Sequence, residues 1–187
     1  MSIDGRISQL IHDGELFAIE PLFDGDSVAR HMLVSKEIWE LIEDPPQKWS
    51  VRCARIRADL ESFVQGQEIK VCRVPYKADK AFLGCLHPTN AGIWDVRLVD
   101  PNPAIRLLGC FAAVDLFVAL VPASRSVPTD LLFRGPLGDR QSIQWDNIIA
   151  ECDTTWWTLF HANDRLRSTD VHDLISDKFD LVGEEEP

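Results

Sequence analysis

Tyrosine and surplus positive charge are what this sequence most lacks. Its 187 residues include one tyrosine, Tyr76, and carry 19 Lys plus Arg against 30 Asp plus Glu, a formal net charge of −11. Free nucleic-acid binders display a basic face, so this balance argues against a simple RNA or DNA binder. No apolar run approaches the ~20 residues a membrane-spanning helix needs, and the N-terminus shows no basic-then-apolar signal pattern. The five cysteines, Cys53, Cys72, Cys85, Cys110 and Cys152, are odd in number and unpaired in spacing, which fits a reducing interior. The expectation is a cytoplasmic chain without a membrane partner. Repeats and low-complexity tracts are also missing, which removes solenoids and long linkers.

Motifs for common chemistries are equally sparse. Gly135-Pro136-Leu137-Gly138 lacks the Lys-Ser/Thr that completes a phosphate-binding loop. There is no nucleophile elbow. Cys85-Leu86-His87 offers two soft ligands but no second pair, which is short of a zinc site. No cofactor is therefore expected. His31, His161 and His172 are scattered and read as surface or helix-packing residues.

What is present is enough apolar material, 45% of residues, to bury one sizeable core, and a single domain over 1–187 is expected. Ser35 is a suitable N-cap for a short helix through Ile38, Trp39, Leu41 and Ile42 that ends before Pro45-Pro46. From Trp49, the apolar positions Cys53, Ile56, Leu60, Phe63 and Val64 recur at steps of three or four, and Gly66 supplies a C-terminal stop. Arg52, Arg55 and Arg57 fall on or near the other faces, which predicts a helix with a basic outer side. The two helices form a predicted hairpin.

Strand signals follow. Ile93–Val99 alternates imperfectly, Asp100-Pro101-Asn102-Pro103 breaks it, Ala104–Phe111 is mostly apolar, and Leu116–Val121 is an unbroken apolar run before Pro122. This is a β-meander carrying charges inside its strands. Asp95 and Arg97 share a strand face at period two, and Asp115 is placed to approach Arg106 across the last turn. Leu16-Phe17-Ala18-Ile19 with Leu22-Phe23 predicts an N-terminal strand joining the same sheet. Ile143, Ile148, Ile149, Cys152, Trp156, Leu159 and Phe160 predict a Trp-rich C-terminal helix starting at Asp139 or Ser142. Because Trp156 and Trp157 are adjacent, at least one must leave a narrow core stripe, to pack on a neighbour or to anchor an interface.

Charge is unevenly distributed. Residues 1–46 hold 3 basic and 10 acidic groups, 47–80 hold 8 and 4, 81–140 hold 5 and 5, and 141–187 hold 3 and 11. Acidic flanks thus surround a mildly basic middle. They give solubility, with Gly183-Glu184-Glu185-Glu186 as a solvated end, or they shield the middle.

A helical hairpin followed by Trp94-Asp95-Val96-Arg97 and Ile105-Arg106-Leu107-Leu108, with Phe111 and Asp115 after them and Ala58–Gln67 closing the second helix, resembles the RelE/ParE/HigB superfamily of toxin-antitoxin toxins, including its phage-derived HigB-like members. The resemblance covers about residues 36–125. It implies an α+β fold: a small antiparallel meander sheet with the helical hairpin packed on one face. Residues 1–35 would then be an N-terminal strand extension and 139–182 a helical one. It implies a toxin that inhibits translation by ribosome-associated mRNA cleavage, with an antitoxin protein and the ribosome or its mRNA as partners. Arg97, Arg106 and Arg125 match the family's phosphate-holding positions, suited by guanidinium geometry, and Arg52, Arg55 and Arg57 would contact RNA. Catalysis would require a base for the ribose 2′-OH and an acid for the leaving oxygen. The ribonuclease members carry Tyr, His or Lys near the end of the sheet, whereas this chain has no His or Lys between His87 and His161. Two other readings stay open: a non-catalytic protein-interaction module, and a ParE-like toxin acting on a protein such as gyrase. Strand arginines also serve as ion pairs or as stems over apolar surface.

Overall fold

The computed structural model describes residues 2–75, 81–100, 104–124, 136–137, 142–161, 165–168 and 170–183. Arg125, Tyr76, Asp139 and most of the 133–138 loop and of the acidic end lie outside them.

In chain order the elements are α1 (Ile3–His12), β1 (Leu16–Ala18), β2 (His31–Ser35), α2 (Lys36–Glu43), α3 (Ser50–Val64), β3 (Ile69–Cys72), β4 (Leu83–Cys85), β5 (Trp94–Leu98), β6 (Ile105–Ala113), β7 (Leu116–Ser124), α4 (Ile143–Phe160) and β8 (Phe179–Leu181). Ser35 occupies the N-cap of α2, as its sequence position predicts, and Gly66 takes φ +74° just past α3. A side chain there would be strained, and its Cβ would fall 2.5 Å from that of Ala29. Ser142 is the N-cap residue of α4.

The eight strands form one sheet in the order β1-β2-β7-β6-β5-β4-β3-β8. β2 runs parallel to β7, and β3 runs parallel to both β4 and β8; the remaining pairs are antiparallel. This overturns the expected RelE-like fold, a small antiparallel meander with helices on one face. The meander β5-β6-β7 exists, but it is the centre of a larger mixed sheet with helices on both faces.

The physical reason is two-sided burial. On one face Ile38, Leu41, Ile56, Leu60 and Phe63 from α2 and α3 form a core with Val34, Val96, Leu107 and Phe117. On the other, Leu10 of α1 and Ile148, Cys152, Trp156 and Phe160 of α4 form a core with Leu33, Leu108, Cys110, Val118 and Leu120. Odd and even strand positions are therefore both buried, which is why Leu116–Val121 reads as a continuous apolar run rather than an alternating one. A strand covered once would show water-facing residues at period two.

Smaller expectations also change. β6 extends to Ala113, so the hairpin into β7 is tighter than the sequence suggests. Asp115 at this turn has φ +59°, and its carboxylate accepts from the Ser176 N–H at 3.0 Å rather than meeting Arg106. Leu22 and Phe23 are not in a strand and are exposed. α1 is an additional helix, opened by Ser2, whose hydroxyl accepts from Gly5 N–H at 3.3 Å.

Arg30 ties distant segments together. Fully buried just before β2, it donates from Nη1 to the carbonyls of Phe63 (3.4 Å) and Gln67 (3.0 Å) and from Nη2 to those of Asp177 (2.7 Å) and Lys178 (3.1 Å). A cation is favourable at the C-terminus of α3, where the carbonyls lack helical partners. Burial lowers the Arg30 pKa, and Asp115 and Asp177 act in the opposite direction.

Candidate functional site

The strand charges lie on the face covered by α4. Val96 and Leu98 point to the α2–α3 core, so Asp95 and Arg97, one position out of phase, point to the other side. Arg97 is the direct cross-strand partner of Arg106. Two cations opposite one another repel, and Asp95 resolves the conflict. Arg97 Nε lies 2.9 Å from Asp95 Oδ1 and 3.1 Å from Oδ2, and Arg106 Nε lies 3.2 Å from Oδ2. Arg106 Nη1 also donates to its neighbour's carbonyl, Ile105 O, at 3.1 Å. The side chains of Asp95, Arg97 and Arg106 are 1%, 6% and 7% exposed, so the triad is a buried ionic cluster in which two guanidinium groups share the Asp95 carboxylate.

Space for it comes from β4. Gly84 pairs with Asp95, and the Arg97 guanidinium passes over it; a Cβ at Gly84 would overlap Arg97 Nη2 and Cζ. The cluster faces a small pocket, of about 30 Å³, that His87, Trp145, Asp146 and Ile149 complete. That is room for one or two waters. Trp145 and Asp146 belong to the first turns of α4. The Trp145 indole N–H is buried without an acceptor. The Ser142 hydroxyl donates to Leu137 O at 2.6 Å and does not cap the helix, whose first turn carries Asp146.

Cys85 borders the same pocket. Burial first, and then the charge of Asp95, push its thiol up to about 12. It therefore stays protonated and is not a nucleophile at neutral pH. Among the described residues no group of three or more His, Cys, Asp or Glu side chains is placed to hold a metal ion.

The three helix arginines do not gather at this pocket. Arg52 is buried with its guanidinium 5.0 Å from the Trp49 ring centroid, and its Nε and Nη2 lack acceptors; desolvation lowers its pKa. Arg55 pairs with Asp59 at 3.3 Å, and both border a shallow depression that also reaches Arg97. Arg57 meets Glu43 at 2.5 Å, Glu61 at 2.7 Å and the Glu20 carbonyl at 3.1 Å. Local carboxylates thus answer the positive charge of Arg55 and Arg57.

A broader groove runs along α4 outside the pocket. Asp146, Ile149, Ala150, Asp153 and Trp157, at helical positions i, i+3, i+4, i+7 and i+11, line one wall, and Asn90, Arg165 and Arg167 help line the other. Its free volume is about 530 Å³. Arg165 pairs with Asp153 and donates to Ala91 O at 2.6 Å. Trp156 is buried and stacks on Phe160 with centroids 4.1 Å apart, while its neighbour Trp157 is 39% exposed. His87, Asp146 and Ile149 border pocket and groove alike.

Comparison with known protein families, curated proteins and solved structures finds no match for this chain. His87, Trp145 and Asp146 are the pocket residues that sequence reasoning did not join to the arginines. They come from the segment after β4 and from α4, and only the Trp-rich character of α4 hinted at a surface there.

Proposed function

We propose that this chain acts by binding a protein partner rather than by catalysis, with the α4 groove as its recognition surface. The observation that carries this reading is the triad: Arg97 and Arg106 are buried on Asp95, whereas phosphate-holding arginines must face an open, concave site. The pairing of Arg55 and Arg57 with carboxylates and the net charge of −11 point away from RNA in the same way. The half-exposed Trp157, set in a groove bordered by both charge signs, has the composition of an interface anchor.

A second reading keeps the ribonuclease of the toxin class that the sequence resembles, and one observation favours it. His87, exposed at the pocket mouth beside Arg97 and Arg106, supplies a residue able to exchange protons where the strand pattern supplies none.

Controlled expression in a bacterial host separates the two, with RNA integrity followed alongside growth for the intact chain and for His87→Ala. The binding reading expects unaffected growth and intact RNA for both. Growth arrest with RNA cleavage that His87→Ala relieves would replace it with the ribonuclease reading.

A further inference from the structure

The loop between β1 and β2 holds two adjacent large apolar side chains in water. Leu22 is 71% exposed and Phe23 69%, and Val28 further along the loop is 50% exposed. Burying such surface is favourable, yet the loop is fastened to α3 with the pair outward. Arg57 Nη2 donates to Glu20 O at 3.1 Å, Gln65 Nε2 donates to Asp26 Oδ2 at 2.8 Å, and Ala29 N–H donates to Val64 O at 2.9 Å. Between these ties Asp26 N–H donates to Phe23 O at 3.2 Å and closes a turn. A loop ordered in advance presents its anchors without losing further entropy on contact. The charge along it has one sign. Glu20 precedes the apolar pair and Asp24 and Asp26 follow it, all three exposed. From Ile7 to Ala29 the chain carries Asp13, Glu15, Glu20, Asp24 and Asp26 and no Lys or Arg. Arg30 is buried at the end of the loop, and Arg57 at its start is answered by Glu43 and Glu61.

From this arrangement we infer that the loop is a second interaction surface, one that docks a basic amphipathic helix of a partner protein. Leu22 and Phe23 seat on the apolar stripe of that helix, and the carboxylates on either side meet the Lys or Arg residues that flank the stripe. Charge complementarity selects this occupant. The order acid, apolar pair, acid along the loop mirrors the order base, apolar stripe, base around such a helix. An acidic partner, or the anionic surface of a membrane, would be repelled by the same carboxylates. The inference goes beyond the groove reading and uses none of the groove's residues.

The test is a titration of the full chain with helical peptides of about 18 residues, roughly five turns long. One has leucine at helical spacing and lysine elsewhere, one replaces its lysines by glutamate, and one replaces its leucines by serine. Calorimetry is expected to show saturable binding of the leucine–lysine peptide alone, with amide chemical-shift changes concentrated at residues 20–28. Its affinity should fall roughly tenfold in Leu22→Ser/Phe23→Ser and about threefold in Glu20→Gln/Asp24→Asn, and stay unchanged in Trp157→Ala. The loop substitutions lie at exposed positions, and far-UV circular dichroism checks that each variant is folded. Equal affinity in folded Leu22→Ser/Phe23→Ser overturns the inference, as does equal binding of the glutamate or the serine peptide, or no binding of any peptide. Phosphatidylcholine vesicles form the last arm. Co-sedimentation with them that Leu22→Ser/Phe23→Ser abolishes would assign the loop to a lipid surface and overturn the helix partner.

Discussion

The guanidinium of Arg97 occupies the space that a side chain at Gly84 would need. A strand glycine normally weakens a sheet, and here it admits a cation between β4 and the carboxylate that holds it.

Gly84→Ala should therefore push Arg97 off Asp95. The expected loss is about 1–3 kcal/mol, from overpacking and a disturbed buried ion pair. Urea unfolding followed by far-UV circular dichroism measures it, and stability equal to wild type would show that Arg97 has room elsewhere.

Removing the shared anion should cost more. Asp95→Ala removes the carboxylate that two facing, buried guanidinium groups share, and a loss of about 3–5 kcal/mol is expected. Replacing Asp95, Arg97 and Arg106 together by leucines should restore much of that loss, because no charge is then stranded. Chemical denaturation of the single and triple variants decides it: a triple variant no more stable than Asp95→Ala would mean that the cluster stabilises the sheet by more than its own desolvation cost.

The adjacent tryptophans of α4 should behave oppositely. Trp156→Ala removes a fully buried ring stacked on Phe160, at an expected cost of about 3–5 kcal/mol. Trp157→Ala should change stability by under about 1 kcal/mol. Thermal unfolding of both variants tests the assignment of one ring to the core and the other to the surface.

Alkaline pH should destabilise the fold partly through Cys85. Its thiol lies at about 12 in the folded chain against an ordinary 9.0. Between those values the folded chain keeps a proton that the unfolded chain has lost, so stability falls as pH rises through the window. Cys85→Ala should flatten that decline in urea midpoints measured from pH 8.5 to 11. An unchanged slope would place the loss on other groups.

Much of the secondary structure was legible in the sequence because its signals are local. Ser35, Gly66 and the spacing from Ile143 to Phe160 mark α2, α3 and α4, and β5, β6 and β7 show as apolar runs between turns. The short strands β3, β4 and β8, of three or four residues, carry too few positions to display a period. Without them the sheet looked small and antiparallel, and the second helical layer had nothing to lie on. The ion pair of Asp95 with Arg97 follows from period two alone. The choice of Asp95 over Asp115 for Arg106 depends on register, which β5–β6 pairing sets and local pattern does not. The pocket was invisible for the same reason: His87 and Trp145 are brought together by the way α4 lies on the sheet.

Arg30 has a consequence for how the chain reaches this structure. Two of its four carbonyl partners lie 147 and 148 residues further along, next to the strand that pairs with β3. Contacts that distant in sequence close late and slow the search for the native arrangement. During synthesis the α3 terminus and β2 can form early, but their shared cation stays half-satisfied until residues 177–181 leave the ribosome. The sheet edge at β3 also remains open until then, so the nascent chain carries an exposed strand edge from the emergence of β3 to that of β8.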